Sequence, residues 1–175
     1  MNDNKDSSAK TTDSQSFLAK SPAGLEEVLA GELSKLGAEN IEILKRAVSF
    51  EGNQRLLYKA NYHCRTALRI LKPINQITFR DEREFYNRIH DIPWEDYMEP
   101  DHTLSIDSTI GNSIFTHSHF VSQRAKDAIV DRFRERTGIR PSVDLENPVL
   151  RINLHIYKDT VNVSLDSSGA SLHKR

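Results

Sequence analysis

The stretch Leu150–Leu165, LRINLHIYKDTVNVSL, decides the fold class of this 175-residue chain. Apolar residues take every second position on both sides of a short turn at residues 158–160, and they are Leu150, Ile152, Leu154, Ile156, Val161, Val163 and Leu165. Side chains of a β-strand alternate between its two faces, so this spacing predicts two strands that each bury one face. Because the turn is short, the two strands are predicted to pair as an antiparallel hairpin.

Strands and helices alternate irregularly upstream of this hairpin. Residues 104–110 alternate as a strand, residues 111–119 form a polar loop, and Phe120–Thr137 predicts a helix that Gly138 closes. The residues predicted to face inward from that helix are Phe120, Val121, Ala125, Ala128, Ile129 and Phe133. Before them, a strand is predicted over residues 74–79, a helix over 81–90 and a turn or short helix at 93–94. The mixture indicates an α+β protein rather than a doubly wound α/β protein.

The N-terminal part predicts a strand, a helix and two more strands. The first strand covers Phe17–Lys20, a helix starts at Ser21-Pro22 and ends before Gly37, and strand segments follow at residues 41–43 and 48–50. This order resembles part of a ferredoxin-like sandwich. Residues 1–16 contain no Val, Ile, Leu, Phe, Tyr or Trp and are predicted to be a flexible tail, since such a segment cannot offset the entropy lost on ordering.

The segment from Gln54 to Leu71 carries a helical periodicity with one basic face. Its apolar residues fall in one arc of a helix, and they are Leu56, Leu57, Ala60, Cys64, Ala67, Leu68 and Leu71. The pattern predicts one helix that Pro73 ends. Cys64 is then a buried, inert thiol.

Composition excludes several classes of protein. The net charge is -1, so the chain is not basic throughout. A single cysteine excludes an internal disulfide and a cysteine-rich zinc site, and it fits a reducing cytoplasm. No apolar run approaches the roughly 18 residues that a membrane span needs. The N-terminal residues lack the apolar core of a secretory signal.

The motifs of self-sufficient catalysis are missing. The seven glycines stand singly, so no phosphate or dinucleotide loop is predicted, and neither a Gly-x-Ser-x-Gly nor a His-Glu-x-x-His motif occurs. His117 and His119 lack a third ligand at a sensible spacing, so an exposed polar loop is favoured over a metal site. Asp127 and Asp131 are predicted to form ion pairs within their basic helix.

The positive signal is the distribution of charge. Residues 53–80 contain six Lys or Arg and no Asp or Glu, and residues 124–140 contain six Lys or Arg against three acidic residues. Arginine-rich helices suit phosphate and bases, although a solvated helix face has the same composition. Hydroxyl, amide and imidazole groups crowd the turn before the second basic helix, where an RNA phosphate or ordinary helix capping would use them.

Short stretches spread over residues 17–175 then resemble one known family. They are FLA at 17–19, GLEEVL at 24–29, EL at 32–33, LGA at 36–38, RLLY at 55–58, Arg65-x-x-x-Arg69, KDAIVD at 126–131, Arg140-Pro141-x-Val143-Asp144, Pro148, and LDSSGASLHKR at 165–175. They are similar to the N-terminal region of the 23S rRNA guanine-N2 methyltransferases, a family also described as N6-adenine-specific DNA methylases.

The resemblance implies a ferredoxin-like portion over residues 17–55, a THUMP domain over 56–167, and the start of a linker at 168–175. The THUMP domain is an RNA-binding module. In the family a methyltransferase domain follows, with a Gly-rich S-adenosylmethionine loop and an Asn-Pro-Pro-Tyr motif, and this sequence contains neither. The chain is therefore predicted to have no catalytic site, cofactor or metal of its own and to dock 23S rRNA for a catalytic domain in cis in the cytoplasm. The predicted RNA-binding residues are Arg65, Arg69, Ser113, Arg124, Lys126, Arg132 and Arg140.

Two other functions stay open. THUMP domains also precede catalytic domains that modify tRNA. A scaffold that binds no nucleic acid would instead pair Arg65 and Arg69 with acidic residues of neighbouring elements.

Overall fold

The computed structural model describes residues 14–169, 171 and 172. Eight strands form one sheet in the order β2-β3-β1-β4-β8-β7-β5-β6, in which β5 runs parallel to β6 and β7 and the other pairs are antiparallel. The strands are β1 Gln15–Lys20, β2 Glu39–Leu44, β3 Ala47–Gly52, β4 Arg69–Thr78, β5 Thr103–Gly111, β6 Ser142–Val143, β7 Leu150–Tyr157 and β8 Thr160–Asp166. The predicted hairpin is confirmed as β7 and β8, with Ile156 opposite Val161. The predicted tail falls outside the described residues except for its last positions, where β1 already begins.

Within the described residues, four α-helices pack on the sheet: α1 Glu26–Lys35, α2 Gln54–His63, α3 Glu82–Asp91 and α4 Ser118–Thr137, with a 3-10 helix at Trp94–Asp96. The Asp81 carboxylate caps α3 by accepting from the Glu84 amide at 2.8 Å. Gly138 ends α4 at φ +73°, a conformation that glycine adopts without a Cβ penalty. None of the helices in the described part of the chain is long and apolar enough to cross a membrane.

The predicted start of α1 at Ser21-Pro22 is wrong by four residues. The Ser21 amide donates to the Arg46 carbonyl at 3.1 Å, which holds this segment against the β2–β3 turn. The Glu26 carboxylate accepts from the amides of Gly24 and Arg46 at 2.7 and 3.0 Å. The helix therefore begins at Glu26, where a carboxylate interacts favourably with the free amides of a helix start.

The predicted helix over Gln54–Leu71 is also wrong in its second half. The helix α2 ends at His63, and residues from Arg69 onward form β4. Here Ile70 pairs with Ala19 of β1 and is fully buried, while residues 71–78 pair with β8. Pro73 lies inside this strand at a register shift, where its missing N–H is tolerated. Strand pairing on both sides outweighs the local helical periodicity.

Two hydrophobic cores lie on the same face of this sheet. The first core contains α1, α2 and the inward residues of β1 and β3, and the second contains α3, α4 and the inward residues of β5, β7 and β8. Ile70 packs in the first core, and Lys72, two residues further along β4, lies opposite Leu165, which packs against the second core, so both cores lie on one side. Phe120, predicted to face inward from α4, is exposed because it stands at the start of the helix.

The residues after β8 return to the first core. The Ser168 hydroxyl accepts from the Ile70 amide at 2.7 Å, and the Leu172 amide donates to the Leu68 carbonyl at 3.0 Å. The Leu172 side chain is buried in the first core. The chain thus passes through the second core and closes on the first.

Candidate nucleic-acid interface

The start of α4 is fixed on β5 and leaves its amides available. The Ser108 hydroxyl donates to the Ser118 carbonyl at 2.6 Å and is hydrogen-bonded to the Ser122 hydroxyl at 2.8 Å. His117, the N-cap residue, provides no side-chain hydrogen bond, and the first turn of α4 has no acidic residue. Free amides at the positive end of a 20-residue helix favour an anion such as phosphate.

A cleft of about 380 Å³ runs beside these first turns of α4. Its lining is polar on the helix side and apolar on the β6 side, and it consists of Leu104, Ile106, Asp107, Ser108, Ser118, His119, Ser122, Gln123, Lys126, Val143 and Leu145. Val143 and Leu145 are exposed. The ammonium of Lys126 contacts the Asp127 carboxylate, and its side chain is 21% exposed. Hydroxyl, amide, imidazole and ammonium groups therefore share one cleft with exposed aliphatic surface.

Ser113 lies outside that cleft. It lines a second one of about 490 Å³ with Phe79, Arg80, Asn112, Ile114, Lys158 and Asp159. Asn112 has φ +48° and turns the chain away from β5. The Ser113 hydroxyl is buried and has no hydrogen-bond partner among the described residues. Ser113 thus shares a cleft with Arg80 and Lys158, while its hydroxyl is shielded from solvent.

Two of the four arginines of α4 contact α3. The Arg124 guanidinium lies 2.9 Å from the Glu82 carboxylate and 4.4 Å from the centre of the Tyr86 ring. Arg132 is only 7% exposed, and its guanidinium donates to the carboxylate of Glu95 and the carbonyl of His90, both at 3.0 Å. The pairing of Arg132 is structural, since removing its partner would leave a buried charge alone.

The other two arginines of α4 also form ion pairs. Arg134 pairs with Asp131 at 3.0 Å and Arg136 with Glu95 at 3.2 Å. The prediction of ion pairs for Asp127 and Asp131 is confirmed. Burial and the 2.6 Å hydrogen bond to Asp131 raise the pKa of Tyr86 to about 12. This hydroxyl therefore stays a donor throughout the physiological range.

The three remaining predicted RNA-binding residues, Arg65, Arg69 and Arg140, lie in different parts of the fold. The Arg69 guanidinium pairs with the Asp166 carboxylate and also donates to the Gly169 carbonyl at 3.4 Å. Arg65 follows α2 and Arg140 follows α4, both are exposed, and no ion pair engages either guanidinium within the described part of the chain. The seven predicted residues thus do not form one patch, since strand pairing places Arg69 far from α4.

Sequence reasoning missed part of the cleft beside α4. Ser118, Ser122 and Lys126 recur every four residues and so share one face of the helix. This spacing was the available signal for Ser122. Nothing local to residues 143–145 indicates that they approach α4, because their position depends on the pairing of β6 with β5.

The turn before α4 does not fit S-adenosylmethionine, the cofactor that the resemblance implies for a methyltransferase domain. A donor-binding strand-to-helix turn uses glycines so that the backbone can approach the ligand. The turn before α4, residues 112–117, contains no glycine. No step involving the methyl donor is assigned to this chain. Nowhere in the part of the chain that the structure describes do three His, Cys, Asp or Glu side chains form a group that could hold a metal ion.

The profile of the THUMP domain matches residues 79–166, which is half of the chain and contains α3, α4 and the cleft beside α4. The chain belongs to the THUMP domain family. The profile of the RlmL ferredoxin-like domain matches residues 16–71, upstream of the THUMP domain. The predicted fold class, an α+β protein with a ferredoxin-like portion followed by a THUMP domain, is confirmed.

Relatives of this THUMP protein are larger enzymes. The chain is 43% identical over 159 residues to the ribosomal RNA large subunit methyltransferase K/L of Syntrophotalea carbinolica and 38% identical to that of Aeromonas hydrophila. In each case the match covers 91% of this chain and 22% of the relative, so the chain spans about a fifth of their length. A crystal structure of a predicted N6-adenine-specific DNA methylase from Listeria monocytogenes is similar with a TM-score of 0.78 and 25% identity, over 92% of this chain and 42% of that one.

Proposed function

We propose that this chain is the RNA-binding module of an S-adenosylmethionine-dependent guanine-N2 methyltransferase of 23S rRNA. In this role it docks rRNA in the cytoplasm, and a methyltransferase domain of the same polypeptide carries out the reaction. The observation that carries the proposal is the THUMP match over residues 79–166, which includes the start of α4 and its cleft. The ribosomal RNA methyltransferases among the relatives support rRNA as the ligand.

Different groups in the cleft beside α4 suit different parts of a nucleotide. Free amides at the start of α4 suit a phosphate, and Lys126 lies two turns further along the same face. The aliphatic wall formed by Val143 and Leu145 suits the face of a base or sugar, and Ser122 and Gln123 offer hydrogen bonds to its edges. A cleft of about 380 Å³ has the size of a small-ligand site, so it accommodates about one nucleotide.

Charge substitutions of opposite sign test this surface. In Lys126→Gln the ammonium is lost, so RNA affinity should fall about three- to tenfold and the salt slope by about one. In Asp127→Asn the carboxylate that pairs with Lys126 is lost, so affinity should rise. The measurement is fluorescence anisotropy with a labelled 23S rRNA hairpin between about 50 and about 200 mM salt.

Two controls make the result specific. Lys45→Gln removes an exposed lysine of the β2–β3 turn, outside the THUMP match, and should leave affinity within about twofold. Competition by tRNA separates a 23S rRNA module from a tRNA module, and the proposal expects the rRNA hairpin to compete better. A chain that binds no RNA at low salt would refute RNA binding. Unchanged affinity in both α4 variants would remove the cleft from the interface.

A further inference from the structure

The outward face of α2 presents two tyrosines that the fold does not use. Tyr58 is 65% and Tyr62 is 80% exposed, and they stand four residues apart on one side of the helix. The opposite side of α2 is buried in the first core through Leu56, Leu57 and Ala60. Two large aromatic side chains one turn apart in water form an apolar surface without a packing role. The Tyr62 ring stands edge-on to His63 with 4.9 Å between ring centres.

Cations alternate with these rings along the same face. Arg55 precedes Tyr58 by three residues, Lys59 precedes Tyr62 by three, and Arg65 follows the helix. All three side chains are exposed, and none forms an ion pair with a carboxylate in the part of the chain that the structure describes. Residues 53–80 contain no acidic residue. This is the reverse of α4, where Arg124, Arg132 and Arg134 are paired.

One carboxylate beside the end of this segment binds its backbone. Glu32 of α1 accepts hydrogen bonds from the amides of Arg65 and Thr66 and from the Thr66 hydroxyl, the last at 2.8 Å. It therefore holds the backbone after α2 and leaves the Arg65 guanidinium free to meet a ligand. No carboxylate of the described residues forms an ion pair with Arg55, Lys59 or Arg65, so the α2 face keeps a positive potential.

We propose that this face of α2 binds unpaired nucleotides of the RNA, with Tyr58 and Tyr62 stacking on bases and Arg55, Lys59 and Arg65 contacting phosphates. Aromatic rings stack on any base, and cations between them follow the backbone, which is the general chemistry of single-strand binding. Four residues of helix, about 6 Å of axial rise, separate the two tyrosines, more than the about 3.4 Å between stacked bases. The two rings therefore suit neighbouring nucleotides that are unstacked from each other.

An acidic protein partner is the competing occupant, because Tyr and Arg are also common at protein interfaces. The composition of the face favours RNA. Its exposed residues on α2 are Gln54, Arg55, Tyr58, Lys59, Tyr62 and His63, none of them aliphatic. A helix that docks in a protein groove presents a run of apolar anchors at helical spacing, whereas this face has only the pair Tyr58 and Tyr62, with polar and charged residues at its other positions.

This inference rests on the proposed role in RNA binding and assigns it a second surface, outside the THUMP match and inside the RlmL ferredoxin-like match. The test compares the binding of a 23S rRNA hairpin with an unpaired loop to that of a blunt duplex without unpaired bases. Tyr58→Ala/Tyr62→Ala should weaken loop-RNA binding at least about tenfold and change duplex binding less than about twofold. Tyr58→Phe/Tyr62→Phe keeps both rings and should bind like the parent chain.

Two further variants separate charge from stacking. Arg55→Ala/Lys59→Ala should weaken both RNAs and lower the salt slope by about two. Tyr62→Trp places an indole on the face, and its emission should be quenched by the loop RNA, while the buried Trp94 stays unaffected. Because these side chains are exposed, the thermal unfolding of each variant should match that of the parent chain.

The possible failures are distinguishable. If the parent chain binds the loop RNA and the Tyr58→Ala/Tyr62→Ala variant binds it equally well, the α2 surface does not read bases and only this inference fails. If that variant instead loses the capture of an acidic protein while keeping RNA affinity, the face is a protein interface and the inference is again refuted. If the parent chain binds neither RNA, the proposed function fails as well.

Discussion

Cys64 shows how one residue's chemistry follows from its neighbours. It caps the end of α2 and packs in the first core. Burial, together with the negative charge of Glu32, raises the pKa of its thiol from 9.0 to about 12. The thiolate is the nucleophile in cysteine chemistry, so a raised pKa makes this residue inert. The prediction of a buried Cys64 is confirmed, although a helix end rather than a helix centre places it there.

Thiol labelling tests this residue directly. With a pKa about three units above normal, Cys64 in the folded chain at pH 8 has about a thousandfold less thiolate than a free thiol. Maleimide or disulfide reagents should therefore modify it only as the chain unfolds, with a rate that rises steeply with urea. The same sample in denaturant gives the control rate. Rapid labelling without denaturant would contradict the burial of Cys64.

The strand β4 joins the part of the sheet that covers the first core to the part that covers the second core. Its first residues pair with β1 and its later ones with β8, and the segment after β8 returns to cover its start. Ser168 accepts the Ile70 amide and Ser167 donates to the Ile70 carbonyl at 2.8 Å. Asn61 of α2 donates to the Ser167 hydroxyl at 2.9 Å, which ties the helix to the same point. Hydrogen bonds from three separate segments thus stabilise this strand where a helix was predicted.

The substitution Ser168→Ala tests that junction. It leaves the buried Ile70 amide without an acceptor, so the free energy of unfolding should fall by about 1–3 kcal/mol. Urea denaturation followed by circular dichroism gives the value. Ser34→Ala on the exposed side of α1 is the matched control and should stay within about 0.5 kcal/mol of the parent chain. Equal stability of both variants would mean that residues after β8 do not support β4.

At the scale of the whole molecule, one continuous sheet connects two separate cores. The first core reaches from Phe17 to Leu172, so it needs both ends of the described chain. Across the other face of the sheet, the Lys20 ammonium on β1 donates to Asn153 on β7 at 3.3 Å, and burial lowers the pKa of this lysine. Shared strands and contacts between the halves favour a single cooperative unfolding transition.

Leu33→Ala tests that cooperativity. Leu33 is fully buried in the first core, and the only tryptophan, Trp94, is fully buried in the second. The substitution should destabilise the protein by about 2–5 kcal/mol and shift the Trp94 fluorescence midpoint in urea together with the circular dichroism midpoint. A shift confined to circular dichroism would show that the cores unfold separately. Leu145→Ala, at an exposed position, serves as the control.

The features that the sequence determined by itself depend on residues that are close together in the chain. Alternation over Leu150–Leu165 predicted the hairpin, the apolar repeat and Gly138 predicted α4, and short family motifs predicted the THUMP domain. Tertiary structure alone decided that Arg69 and Ile70 belong to a strand, since β1 and β8 outweigh local periodicity there. It also decided which cations are free, because the acidic partners of Arg69, Arg124 and Arg132 lie 37 to 97 residues away. A charge pattern along the chain records which side chains are basic, and only the folded arrangement brings carboxylates to some of them and leaves others for a ligand.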